Sequence, residues 1–165
     1  MRLWGILLIG IVNFFNIASV VMLINGFFHP ARSVELQSAG NLLRHGLQIW
    51  LTNILVFALW FWELDGDGPD ARAHANAATE FKNADFLFPQ MSIAMQDDFN
   101  KPCINPLWKP GFFDYLYIAF TNSTAFSPAD ALPLSRWAKA LMMLEALISL
   151  VTIAIVLARS VSLIQ

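Results

Sequence analysis

The sequence predicts an all-α membrane protein with three spanning helices and one half-length helix that enters the bilayer and turns back. Three observations point there. Hydrophobic residues make up 57% of the 165-residue chain and charged residues only 13%, against about 25% charged in a soluble domain. The mean hydropathy is +0.55. Apolar stretches at 3–28, 46–64 and 137–157 come close to or exceed the roughly 20 residues that a spanning helix needs. A fourth, at 112–123, is too short to span and is followed by a proline-containing segment.

The first stretch follows Arg2 and could be read as a secretory signal. It is too long for such an apolar core, and no small-residue cleavage site follows it. It is expected to remain as a membrane helix. Residues 29–44 form a short polar connection, with Pro30 as its stop signal. The second helix is expected over 46–64. It ends in Trp60-Phe61-Trp62 with Glu63 and Asp65 close behind. Aromatic residues beside acids suit a membrane–water boundary, with core packing as the alternative.

Residues 65–111 make a long connection that opens on the breaker cluster Asp65-Gly66-Asp67-Gly68-Pro69. An Ala-rich run at 71–81 predicts a short helix, and Phe86-Leu87-Phe88-Pro89 is an apolar segment suited to the interface. Cys103 is the only cysteine, so it forms no internal disulfide and no thiolate cluster.

Residues 112–123 carry Phe112, Phe113, Tyr115, Tyr117 and Phe120. At about 1.5 Å per residue they give about 18 Å of helix, half the hydrocarbon layer. A half-helix at that depth has to turn back, and its non-helical return must lie in protein or along water. The return is Thr124-Ala125-Phe126-Ser127-Pro128-Ala129-Asp130, and Pro133 precedes the last long helix. Such a short helix aims the negative end of its dipole at the membrane centre, and the return can offer carbonyl oxygens to a cation.

These residues resemble the pore helix, filter and inner helix of potassium channels. That family reads threonines, then Val-Gly-Tyr-Gly-Asp, a proline three residues later and a Trp-Gly-Arg triplet opening the inner helix. Thr124 falls on a filter threonine, Asp130 on the filter-end Asp, Pro133 on the Pro and Trp137 on the Trp, without a gap. Ala138 takes the place of Gly, and Lys139 keeps the positive charge. The resemblance covers about the last 50 residues and implies a potassium-channel-like pore module over 46–165: helix 46–64, extramembrane loop 65–111, pore helix and loop 112–132, inner helix 133–160. Residues 1–45 add a helix and a polar loop. It also implies a homotetramer in a lipid bilayer that conducts monovalent cations, with Thr124, Ala125, Phe126, Ser127, Pro128 and Asp130 along the ion path.

Where the family has Val-Gly-Tyr-Gly, this chain has Phe126-Ser127-Pro128-Ala129. Glycine permits the alternating backbone of the potassium filter at low cost, and Ser, Pro and Ala do not. Weak selectivity is therefore expected. A non-conducting structural or accessory protein on a degenerate channel scaffold is the alternative. The whole chain also resembles an uncharacterised group of bacterial membrane proteins, read as ion channels by the same pore-loop likeness. Trp50-Leu51-Thr52-Asn53, Trp60-Phe61-Trp62-Glu63-Leu64-Asp65, 120–128 and Ala138-Lys139-Ala140-Leu141-Met142-Met143 carry that likeness. Some members carry further hydrophobic segments upstream, against which this chain reads as a short member or a fragment. The resemblance implies the bacterial cytoplasmic membrane, with the 65–111 loop outward.

Glu145 lies about 12 Å beyond Trp137 in the last helix, and a carboxylate at depth is a functional candidate. Ser149 and Thr152 share its stripe. One reading has Glu145, Ser149 and Thr152 lining a wet cavity that gathers cations. The other has Glu145 bracing the pore helix at Thr121 or Asn122. Asn13, Asn16, Gln48, Thr52 and Asn53 read as interhelical hydrogen-bonding groups.

His29, His45 and His74 have no metal-ligand spacing and read as solvated loop residues. No phosphate loop and no catalytic set appears, so no cofactor and no enzymatic activity is expected. With a net charge of -2, no nucleic-acid partner is expected either.

Overall fold

The computed structural model describes residues 2–29, 38–74, 84–94, 108–125 and 131–164. Three helices are long and apolar enough to cross a membrane. These are α1 (Arg2–Phe28), α2 (Ala39–Leu64) and, last in the chain, α6 (Arg136–Ile164). Between α2 and α6 lie two short helices, α3 (Pro69–His74) and α4 (Pro89–Ala94), and the 14-residue α5 (Phe112–Ala125). Strands β1 (Phe86–Leu87) and β2 (Leu132–Pro133) pair antiparallel.

Local chemistry sets the ends. α3 and α4 both begin on a proline, whose fixed φ and missing N–H suit a first helical position. Asp114 in the first turn of α5 accepts the Gly111 N–H at 2.8 Å, a return contact that satisfies a donor the helix itself leaves open. Ser135 caps α6 by accepting the Ala138 N–H on its hydroxyl at 3.1 Å. After α2 the chain turns through three residues of positive φ, namely Gly66 at 54°, Asp67 at 65° and Gly68 at 98°. Glycine makes two of those three cheap.

Two helices extend beyond the apolar stretches that marked them, α2 at its start and α6 at its end. α2 begins at Ala39 rather than 46, and α6 runs over Arg136–Ile164 rather than 137–157. Apolarity marks the stretch suited to hydrocarbon, while the helix continues into polar residues such as Asn41 and Arg44 that no proline interrupts. His45 consequently lies inside α2, half-buried, and not in a loop. His29 and His74 are exposed.

Contacts along α2 give the direction of each neighbour. Arg2 meets Glu63 at 3.7 Å and Asn16 meets Asn53 at 3.2 Å, so α1 is antiparallel to α2. Asn53 meets Ser149, and Gly46 faces Val156, so α6 is antiparallel to α2 as well. Trp62 packs on Phe112 and Trp50 on Phe120, with ring centroids 5.9 and 6.0 Å apart. α5 therefore also runs against α2, and α5 and α6 run the same way. Both start at the Asp65 end.

The link between them comes back to that end too. β2 pairs with β1, Leu134 donates to the Asp85 carbonyl at 2.8 Å, and Asp85 donates to Asp65 Oδ1 at 2.6 Å. Phe86 and Phe88, expected at the interface, are buried in an aromatic core with Phe57, Phe61 and Tyr115. Phe61 and Phe86 stand 5.1 Å apart, and Phe88 and Tyr115 5.4 Å. The Ala-rich helix expected over 71–81 is seen only as the tail of α3, and residues 75–81 lie outside the described residues.

Candidate functional site: the tip of α5 on Glu145

α5 is amphipathic in a particular way. Tyr115, Ile118, Ala119, Asn122 and Ser123 are buried, while Phe113, Tyr117, Phe120 and Thr124 are exposed. The 3–4 residue spacing separates a face packed on the chain's own helices from an open face. The packed face ends in two polar residues, and an apolar interior tolerates those only with partners.

Glu145 supplies them. Its carboxylate, 0% exposed, accepts from Asn122 Nδ2 at 2.8 Å on Oε2 and from Ser123 Oγ at 3.0 Å on Oε1. Asn122 Nδ2 also donates to the Met142 carbonyl at 2.8 Å. On the other side of the same turn, Asn53 Nδ2 donates to the Glu145 carbonyl at 3.2 Å and to Ser149 Oγ at 2.9 Å. Asn53 Oδ1 accepts from Asn16 Nδ2 at 3.2 Å. Side chains from α1, α2, α5 and α6 thus form one buried network near the middle of α2. No Lys, Arg or His of the described residues pairs with Glu145.

The residues singled out by sequence distribute as follows. Glu145, Ser149 and Thr152 are all buried, inside the bundle of a single chain. Thr152 Oγ1 donates to the Ile148 carbonyl at 2.8 Å. Thr124 lies on the open face of α5 and donates to the Phe120 carbonyl at 2.9 Å. Ala125 is the last residue of α5. Phe126, Ser127, Pro128 and Asp130 lie outside the described residues. Of the two suggested braces, Asn122 touches Glu145, whereas Thr121 bonds back to the Tyr117 and Ile118 carbonyls of its own helix. Among the other interhelical candidates, Asn16 and Asn53 pair, and Gln48 is exposed.

A second polar cluster, at the opposite end of α5, was not legible from the sequence. Asp65 is 1% exposed and accepts from Tyr115 Oη at 2.5 Å, from the Asp85 N–H at 2.6 Å and from the Phe86 N–H at 3.3 Å. Arg72 donates to the carbonyls of Asp65 and Trp62 and lies over the Tyr115 ring, 5.1 Å from its centroid. α5 is held at its start by Asp65 and at its tip by Glu145.

Comparison with protein-family models, with curated proteins and with solved structures finds no match.

Proposed function

We propose that the chain is one subunit of an oligomeric, cation-conducting pore. In that reading α5 is the re-entrant pore helix, 126–130 belongs to the filter, and α6 is the inner helix. The observation that carries it is the shared direction of α5 and α6. Both start at the Asp65 end, α5 stops beside Glu145 partway along α6, and β2 is back beside Asp65. The negative end of the α5 dipole then faces the middle of the bilayer, where it favours a cation. The open face of α5 and the last carbonyls of a helix ending at depth call for cover by protein or water. Further copies of the chain around a wet axis supply both, and a homotetramer is the assembly that the pore-loop resemblance implies.

Without glycines at Ser127 and Ala129, coordination by backbone carbonyls alone is disfavoured. The hydroxyls of Thr124 and Ser127 and the carboxylate of Asp130 are then the natural ion-facing groups. Discrimination between potassium and sodium is expected to be weak. The test is recording from purified protein in planar bilayers with ion substitution. Cation-over-anion conductance, with similar reversal potentials in potassium and sodium, is expected. Absence of conductance from a tetramer of confirmed mass would overturn the channel reading.

A specific observation favours the second reading, a non-conducting scaffold. The buried polar groups of Asn122, Ser123 and Glu145 satisfy one another within one chain and require no ion. The same recording separates the two.

A further inference from the structure

Glu145 is a carboxylate placed where charge is costly, yet it faces neither a basic partner nor the open side of the bundle. Both its oxygens are taken up by α5. Asn122 and Ser123 lie in the last turn of that helix, and their bonds to Oε2 and Oε1 measure 2.8 and 3.0 Å. The two-pronged contact fixes the tip in rotation as well as in depth, since consecutive residues project about 100° apart around a helix. The turn carrying Glu145 is in turn fixed by Asn53, whose amide spans the Glu145 carbonyl and Ser149 Oγ.

We propose that Glu145 is a positioning residue that sets the tip of α5 by its shape and reach rather than by its charge, with Asn53 fixing Glu145 in turn. The proposal deepens the pore reading by assigning what holds the pore helix, but the contacts it rests on stand whether or not the chain conducts.

Two conservative substitutions separate reach from charge. Glu145→Gln keeps the length. The glutamine oxygen accepts from Asn122, and its amide N–H donates to the Ser123 hydroxyl, which rotates to accept. Glu145→Asp keeps the carboxylate but is one methylene shorter, so it cannot hold both partners. A charge-gathering role in a wet cavity would rank them the other way, with Asp retained and Gln impaired.

The readout is the motion of a nitroxide at position 124, attached in a Cys103→Ser, Thr124→Cys background and followed by its line shape in lipid bilayers. A restrained label is expected with Glu145 and with Glu145→Gln. Glu145→Asp and Glu145→Leu are expected to raise the ratio of mobile to restrained label by about tenfold, the shift that one unpartnered buried donor produces. An Asn53→Leu line shape identical to the parent's would remove Asn53 from the assignment. If Glu145→Asp does not fold in mild detergent, Ser123→Ala carries the test, because it removes one prong and leaves the carboxylate, and an increase in mobility is expected. Equal line shapes in all variants, or Asp restrained and Gln mobile, would overturn the proposal. A silent bilayer recording would remove the pore reading while leaving the line-shape order as the test of Glu145.

Discussion

α5 is pinned at both ends by buried acids, and the two are solvated by different means. At its start, Asp65 takes two backbone N–H groups and a tyrosine hydroxyl, with Arg72 close by. At its tip, Glu145 takes only side-chain donors, Asn122 and Ser123. The difference follows from the surroundings. Beside Asp65 the chain is irregular, so residues 85 and 86 have amides to spare. Around Glu145 all backbone is helical and its amides are committed to their own helices, so only side chains are left to give. A buried acid among packed helices has to bring its polar partners in the sequence, while an acid at a chain turn can borrow from the backbone.

Substitutions sharpen that contrast. Asp65→Ala is expected to have the largest effect, because it strands two amides and a hydroxyl. A loss of about 3 kcal/mol or more is expected from unfolding titrations in mixed micelles; a loss below about 1 kcal/mol would mean that water reaches these groups. Gly46→Ala supplies an apolar yardstick. A Cβ there would lie 2.3 Å from Val156 Cγ2, and a β-branched side chain in a helix has no ready second rotamer. The overpacking should cost about 1–3 kcal/mol by the same titration, and a neutral result would show that α2 and α6 separate freely at that level.

Smaller effects test the individual bonds. Tyr115→Phe removes the hydroxyl from Asp65 and keeps the ring against Phe86, Phe88 and Arg72. About 1 kcal/mol of lost stability is expected. Asn16→Leu removes a single side-chain bond between α1 and α2, and about 0.6 kcal/mol is the usual worth of such a bond among membrane helices. A loss greater for Asn16→Leu than for Tyr115→Phe would reverse the order in which the two networks are ranked.

The same contrast explains what the sequence made legible. α5 stands out because its aromatic, apolar run is about half the length of its neighbours and carries a single charge, Asp114, in its first turn. Its observed span, Phe112–Ala125, runs two residues past the expected 112–123. Asn53, Asn122, Ser123 and Glu145 were visible as polar letters in apolar text, and the Glu145–Asn122 contact was among the alternatives. Ser123 as the second prong was not, since nothing in the spacing distinguishes it from Thr121. Asp65 read only as part of a turn. Two of its donors are backbone amides 20 and 21 residues away in the chain, which no side-chain pattern announces. The start of α2 at Ala39 is not marked in the sequence, because hydropathy reports depth and not helix continuity.

The pore reading rests on the shared direction of α5 and α6, and sided labelling tests it most directly. Single cysteines at Gly111, just before α5, and at Leu134, just before α6, are introduced into a Cys103→Ser background in sealed vesicles of known orientation. Both positions are exposed. A membrane-impermeant thiol reagent is expected to reach both from the same side, which requires α5 to enter and the chain to return before α6 begins. Labelling from opposite sides would make α5 part of a full crossing and contradict the pore-helix account.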